Sequence, residues 1–341
     1  MRSIIKDKKL FLLGLLGVIV ASQAGAATFT FTTFDAPGTT TTSPQGINDS
    51  GQVVGYYYDH RMRSHGFVES GGTFTTLDVP GAEFTFPLGI NDRGQATGYC
   101  EDASGAHGFV ESGGTFTTLD APGASRTYAM GINDSGQVTG YYYDGSSFHS
   151  FVESSGTFAI IDAPGAVLTF PHGINDSGQV TGYYYESSSH RYHSFVESGG
   201  TFSALDAPGG TVTYASGIND SGQVVGNYGD ASGRIYGFVE SGGTFSTLNV
   251  PGASRTYATG INDSGQVTGG YSDNSGYHGF IAFIAPPVPE PEEWAMMLVG
   301  IGLVGFQVRR KQAKQAGLLT SPKATINRLS GRFFMGGWMA V

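Results

Sequence analysis

Gly131-Ile132-Asn133-Asp134-Ser135-Gly136-Gln137-Val138 decides the architecture of this chain, because its first four residues recur at Gly46, Gly89, Gly173, Gly217 and Gly260. The isoleucines of the six copies lie 43, 42, 42, 44 and 43 residues apart. A period of forty-odd residues that reads as four short strands points to a propeller, whose blades bury their faces only against one another. In the second copy, strands are expected over residues 86–90, 95–100, 107–111 and 115–120, with a loop over 101–106. Asn91-Asp92-Arg93-Gly94 supplies the first reversal. Ser112-Gly113-Gly114-Thr115 reads as a hairpin, since Gly-Gly tolerates the positive φ that tight hairpins need.

The fourth-strand motif ends in Asp-Ala-Pro-Gly or a close variant, at Asp35, Asp78, Asp120, Asp162, Asp206 and Asn249. Its first copy precedes every Gly-Ile-Asn-Asp, and the last unit reaches Pro286 with no fourth strand of its own. Pairing residues 28–35 beside 277–284 would complete that unit and remove the exposed edge. The expected fold is all-β: a six-bladed β-propeller of four-stranded blades, closed by pairing of the N- and C-terminal strands, plus a short C-terminal apolar helix. A linear β-solenoid is the alternative with the same period.

Charge narrows the partners. Residues 28–285 hold no lysine and seven arginines against 24 Asp and Glu, so they repel phosphate backbones, which excludes nucleic acid as a partner. Cys100 is the single cysteine, which removes any internal disulfide.

Both ends read as addresses. Lys6, Lys8 and Lys9 precede an apolar run over 10–21 and then Ala24-Gly25-Ala26, a signal peptide cleaved after Ala26. Val288-Pro289-Glu290-Pro291, Trp294, an apolar stretch to Val308 and Arg309-Arg310-Lys311 read as a short membrane anchor with its basic end in the cytoplasm. These residues resemble the PEP-CTERM sorting signal of Gram-negative bacteria. The resemblance implies processing near Pro-Glu-Pro by an exosortase-type membrane enzyme, and export coupled to exopolysaccharide or biofilm matrix. Residues 312–341 extend past the point where that signal usually stops. The His-Gly-Phe or His-Ser-Phe motif together with Gly-Ile-Asn-Asp-Ser-Gly-Gln-Val is similar to the HAF repeat of extracellular bacterial proteins and covers nearly all of 28–284. The expected organisation is signal peptide 1–26, propeller 27–285, Pro/Glu-rich spacer 286–293, anchor and basic stop 294–311, and a tail 312–341 of unassigned role.

Three side-chain sets invite a chemical reading. His65, His107, His149, His193 and His278 share one blade position, with Tyr236 in the remaining copy; each is expected to bond locally to its own unit's Asp. The Asn-Asp-Ser-Gly turns offer one Asp each, too few for calcium, so that Asp is expected to cap its own turn. In Tyr56-Tyr57-Tyr58, Tyr141-Tyr142-Tyr143 and Tyr183-Tyr184-Tyr185, strand alternation sends the middle ring to the opposite face. Tyr57, Tyr142 and Tyr184, each near an acid, are the candidate glycan contacts.

Departures from the repeat, Arg61, Met62, Arg63, Arg93, Cys100, His172, His190 and Arg191, form no recognised constellation. With no nucleophile elbow, zinc motif or phosphate loop, neither catalysis, metal nor cofactor is expected. The sequence therefore reads as an exported cell-surface or matrix protein with a non-catalytic binding or structural role. A lectin-like propeller is the alternative, and a propeller glycosidase ranks below it.

Overall fold

The computed structural model describes residues 29–284. The segments read as signal peptide (with Ala26), spacer and apolar helix, together with Val288, Pro289, Glu290, Pro291, Trp294, Arg309, Arg310 and the tail, lie outside the described residues. Among the described residues no helix is long and apolar enough to cross a membrane.

The chain opens with strand β1 (Phe29–Phe34). Blade 1 follows as β2 (Thr42–Ile47), β3 (Val53–Tyr58), β4 (Ser64–Ser70) and β5 (Thr73–Thr76). Blade 2 is β6 (Phe84–Ile90), β7 (Ala96–Asp102), β8 (Gly105–Ser112) and β9 (Thr115–Leu119). Blade 3 comprises β10 (Arg126–Ile132), β11 (Val138–Tyr143), β12 (Phe148–Ser154) and β13 (Thr157–Ile160). Blade 4 holds β14 (Leu168–Ile174), β15 (Val180–Glu186), β16 (Arg191–Ser198) and β17 (Thr201–Ala204). β18 (Val212–Ile218), β19 (Val224–Gly229), β20 (Ile235–Ser241) and β21 (Thr244–Leu248) make blade 5. Blade 6 has three strands from the end of the chain, β22 (Arg255–Ile261), β23 (Val267–Ser272) and β24 (Tyr277–Ile284), and takes β1 as its fourth.

This is the expected six-bladed propeller with the expected closure. β1 pairs antiparallel with β24 from Phe29 opposite Ile284 to Phe34 opposite Gly279. The Phe31 ring meets Phe280 edge-on at 5.7 Å, so the closing strand is held by packing as well as by its ladder. One local expectation is corrected: residues 101–106 are not a loop. β7 and β8 run on to a tight turn at Asp102–Gly105, because the Asp102 carboxylate accepts hydrogen bonds from Ser104 N at 2.7 Å and Ser104 Oγ at 2.5 Å. Such an Asx turn reverses the chain in four residues where the sequence composition suggests six.

Burial follows the repeat. Phe67, Phe109, Phe151, Phe195, Phe238 and Phe280 of the third strands are among the most deeply buried side chains, each packed with a valine or alanine of its own second strand.

At the axis the six first strands approach so closely that a Cβ would be crowded at every one of the six glycines. A Cβ on Gly46 would lie 3.1 Å from Gly89 Cα, one on Gly89 3.1 Å from Gly131 Cα, and so on around to Gly260, 3.1 Å from Gly46 Cα. Two closed circles of hydrogen bonds run beside this contact. Asn48 Nδ2 donates to Asn91 O at 3.1 Å, Asn91 to Asn133, Asn133 to Asn175, Asn175 to Asn219, Asn219 to Asn262, and Asn262 back to Asn48 O at 3.0 Å. Likewise each Asp amide N–H donates to the next blade's Asp Oδ1, from Asp49 to Asp92 at 2.7 Å through to Asp263 to Asp49 at 2.8 Å. The expectation that each Asp caps its own turn is therefore corrected. Asn holds the turn, its Oδ1 accepting from the amide four residues on, as Asn133 does from Gln137 N at 2.9 Å. The Asp is thereby free to reach the adjacent blade.

Two outcomes follow. Gly131→Ala forces backbone apart at the axis and lowers stability by about 1–3 kcal/mol, read as a fall of roughly 2–4 °C in Tm per kcal/mol for a domain of this size. A chain lacking residues 29–34 exposes the β24 edge, and light scattering should show concentration-dependent association where the intact chain gives one species. An unchanged Tm, or a monodisperse truncated chain, contradicts the respective claim.

Candidate functional site

The face opposite the Asp circle gathers the ends of second strands, the starts of third strands and the ends of fourth strands, so it collects the residues that the sequence reading singled out. Each third-strand His meets the Asp that ends the fourth strand: His65 Nδ1 lies 2.7 Å from Asp78, His107 2.8 Å from Asp120, His149 3.4 Å from Asp162, and His193 2.9 Å from Asp206. In blade 6 the partner comes from the start of the chain, with His278 Nδ1 2.9 Å from Asp35 Oδ1. These contacts agree with the expected local pairing. The same carboxylates accept backbone amides of the third strand, such as Gly66 N to Asp78 at 2.9 Å and Ser150 N to Asp162 at 2.8 Å. Each Asp therefore ties two strands together while its side chain stays 36–46 % exposed.

The second ring nitrogen meets another polar group from the loop between second and third strands. His65 Nε2 is 3.5 Å from Asp59, His107 Nε2 is 2.8 Å from Ser104 Oγ, and His278 Nε2 is 2.9 Å from Ser275 Oγ. Asp59 also takes the Arg63 guanidinium at 2.8 Å, and hydrogen bonds from Arg63, its backbone amide first, hold the Asp59 carboxyl well below the usual range. His65 is shifted upward, chiefly by its hydrogen bond to Asp78.

The middle tyrosines do lie on the opposite side of the strand from their neighbours, and each stacks near its blade's His: Tyr57 on His65 at 5.4 Å, Tyr142 on His149 at 5.3 Å, Tyr184 on His193 at 5.6 Å. Tyr271 and His278 repeat the arrangement at 5.2 Å. These rings are half-buried and also pack on blade interiors. Tyr56, Tyr141 and Tyr183 instead join an aromatic ladder between blades, Tyr56 meeting Phe86 at 5.0 Å, Tyr141 meeting Phe170 at 5.1 Å and Tyr183 meeting Tyr214 at 4.8 Å.

Two blades depart. Blade 5 has Tyr236 for His and Asn249 for Asp, with Tyr228 stacked on Tyr236 at 5.6 Å and the Arg234 guanidinium 5.1 Å from the Tyr236 ring. Blade 2 has Cys100 where the others carry the middle Tyr, opposite His107 in register. Burial pushes the Cys100 thiol up to about 11, so it is not a thiolate at neutral pH. Among the described residues no group of three or more His, Cys, Asp or Glu is arranged to hold a metal ion.

No protein-family model matches the chain, and no curated protein matches it. Solved structures resemble it at low identity. A streptogramin B lyase is 14 % identical, over 75 % of this chain and 98 % of that one, with a TM-score of 0.42. A mutant Aleuria aurantia lectin in complex with Fucalpha1-6GlcNAc is 13 % identical over 72 % and 93 %, with a TM-score of 0.48. A putative gluconolactonase is 14 % identical over 76 % and 93 %, with a TM-score of 0.45. At such identities the likeness is one of fold alone. The expectation that the chain is not an enzyme is corrected: a lyase and a putative gluconolactonase stand beside a lectin among the solved structures it resembles.

The raised His65 value sets a pH dependence. A histidine whose folded pKa lies above its ordinary 6.5 contributes stability that is complete below 6.5 and lost as pH rises through the folded value. The Tm difference between the protein and His65→Asn should therefore be largest below pH 6.5 and shrink as pH rises above it; a constant or growing gap contradicts the pairing. For Cys100, alkylation of the native protein at pH 7.5 should run at least about 100-fold slower than in denaturant, and equal rates contradict its burial.

Proposed function

We propose that this chain is an exported protein that binds polysaccharide through the face bearing the Tyr–His–Asp groups. The observation that carries the reading is repetition. In blades 1, 3, 4 and 6 a half-exposed Tyr ring lies against a His whose ring nitrogen is bonded to an exposed carboxylate. Carboxylate edges accept from hydroxyls, an imidazole can donate or accept, and a Tyr ring offers an apolar surface to a sugar's C–H face. Several such groups on one rigid face suit a polymer that repeats, because linked weak contacts multiply through effective concentration. The body's negative charge disfavours anionic chains, so the ligand is a neutral glycan.

The address belongs to the same proposal. Ala26, the segment from Val288 to Pro291, Trp294, Arg309 and Arg310 would route the chain through export and an exosortase-type processing enzyme, with transient anchoring in the inner membrane, to the cell surface or matrix. Mass spectrometry of culture fluid should recover peptides of the propeller and none of residues 312–341; recovery of the tail contradicts that route.

Binding is tested by affinity electrophoresis through gels holding neutral or acidic polysaccharide. Retardation by a neutral polymer is expected, weakened at least about tenfold in the triple variant Asp78→Asn, Asp162→Asn, Asp206→Asn with Tm followed in parallel. These carboxylates are chosen over Tyr57, Tyr142 and Tyr184 because the rings also pack on blade interiors. Absence of retardation by every polymer, or equal retardation of a folded variant, contradicts the reading.

A further inference from the structure

In every blade the first strand carries a β-bulge, and the extra residue is the one before the axial glycine. These six residues are Gln45, Leu88, Met130, His172, Ser216 and Thr259. A bulge turns its unpaired residue out of the ladder, and here all six line a cavity of about 70 Å³ on the axis. The residues after them repeat without exception as Gly-Ile-Asn-Asp. The bulge residues are all different, and at no other strand position do the six repeats carry six different residues. A wall serving only to pack would take the repeat's own residue, as the glycine and asparagine circles do. Six unlike side chains instead break the symmetry where all blades meet.

We infer that this axial cavity binds a short, uncharged polyol with one apolar flank. Leu88 and Met130, from adjacent blades, supply an apolar arc, and Ser216, Thr259 and Gln45 supply a polar one. Thr259 Oγ1 donates to Pro44 O at 3.0 Å and Gln45 Nε2 to Ser43 Oγ at 2.9 Å, so both are held in place. His172 stacks on Tyr183 at 5.2 Å. Its ring nitrogens and Ser216 Oγ have no hydrogen-bond partner among the described residues. Yet among the described residues no buried side-chain polar atom lacks a partner, so these atoms keep some exposure, and both residues line the cavity. Burial lowers the His172 value to about 4, leaving a neutral imidazole that donates from one nitrogen and accepts at the other. No side chain of this wall is charged at neutral pH, which favours a neutral guest. At about 10–15 Å³ for each water-sized position, the space suits roughly five non-hydrogen atoms.

The cavity is formed by first strands, whereas the proposed glycan face is formed by second, third and fourth strands, so either reading can fail without the other. The probe is 1,3-butanediol, with butyrate as its anionic counterpart, added to the intact propeller while Met methyl and His ring signals are followed by NMR. Saturable shifts at Met130 and His172 are expected, with butyrate at least about tenfold weaker. Leu88→Gln, which keeps length and removes the apolar flank, should weaken the diol at least about fivefold with Tm little changed. Ser216→Phe should fill the space and abolish the shifts. Absence of saturable shifts at Met130 and His172 up to about 100 mM diol, or equal binding of butyrate, overturns the inference.

Discussion

Six strands converge on one axis, and the closeness of that convergence is the constraint on which the remainder of the structure depends. Backbones of consecutive blades stand where a single methyl would be crowded at every blade and would strike a backbone oxygen at Gly131 and Gly260, which is why the repeat places glycine there. Once it does, the neighbouring Asn and Asp come within reach of the next blade. Each blade then donates to one neighbour and accepts from the other, and the circle closes only when all six are present. Such cyclic bonding makes the blade number part of the hydrogen-bond pattern: a missing blade leaves a buried amide and a buried carbonyl unpaired, at about 1–3 kcal/mol each.

Closure at the periphery works by a different principle. A four-stranded blade whose outer strand comes from the opposite end of the chain cannot form until the ring forms, so the sixth sheet converts five local units into one cooperative body. Its His–Asp pair shows the consequence in miniature, because His278 finds Asp35 across 243 residues of sequence. Topology, through the order in which β1 and β24 are brought together, thus completes a polar group that the other blades assemble locally.

The same repeat yields two unlike surfaces. Away from the axis, Tyr, His and Asp recur with the period and make a face of near-equivalent groups. On the axis, the bulged position carries a different residue in each blade and makes one asymmetric cavity. Uniform Gly-Ile-Asn-Asp backbone is what allows this contrast, since it fixes the direction of the bulged side chain whatever its identity.

By itself the sequence determined the number of blades, the four strands in each and the sharing of the sixth sheet, because spacing along the chain and turn residues such as Asn91 and Gly94 report local geometry directly. It also indicated that His65 and Asp78 belong together, since both lie in one unit. What only the tertiary structure decided were contacts between units. Asp49 reads as a turn cap until the last blade closes the ring and brings the Asp263 amide, 214 residues away in sequence, for its carboxylate to serve. His172 reads as an isolated departure until the bulge turns it inward beside five residues from other repeats. Periodicity records distance along the chain, whereas the circle of carboxylates and the axial cavity arise from proximity across it, and only the closed ring brings those positions together.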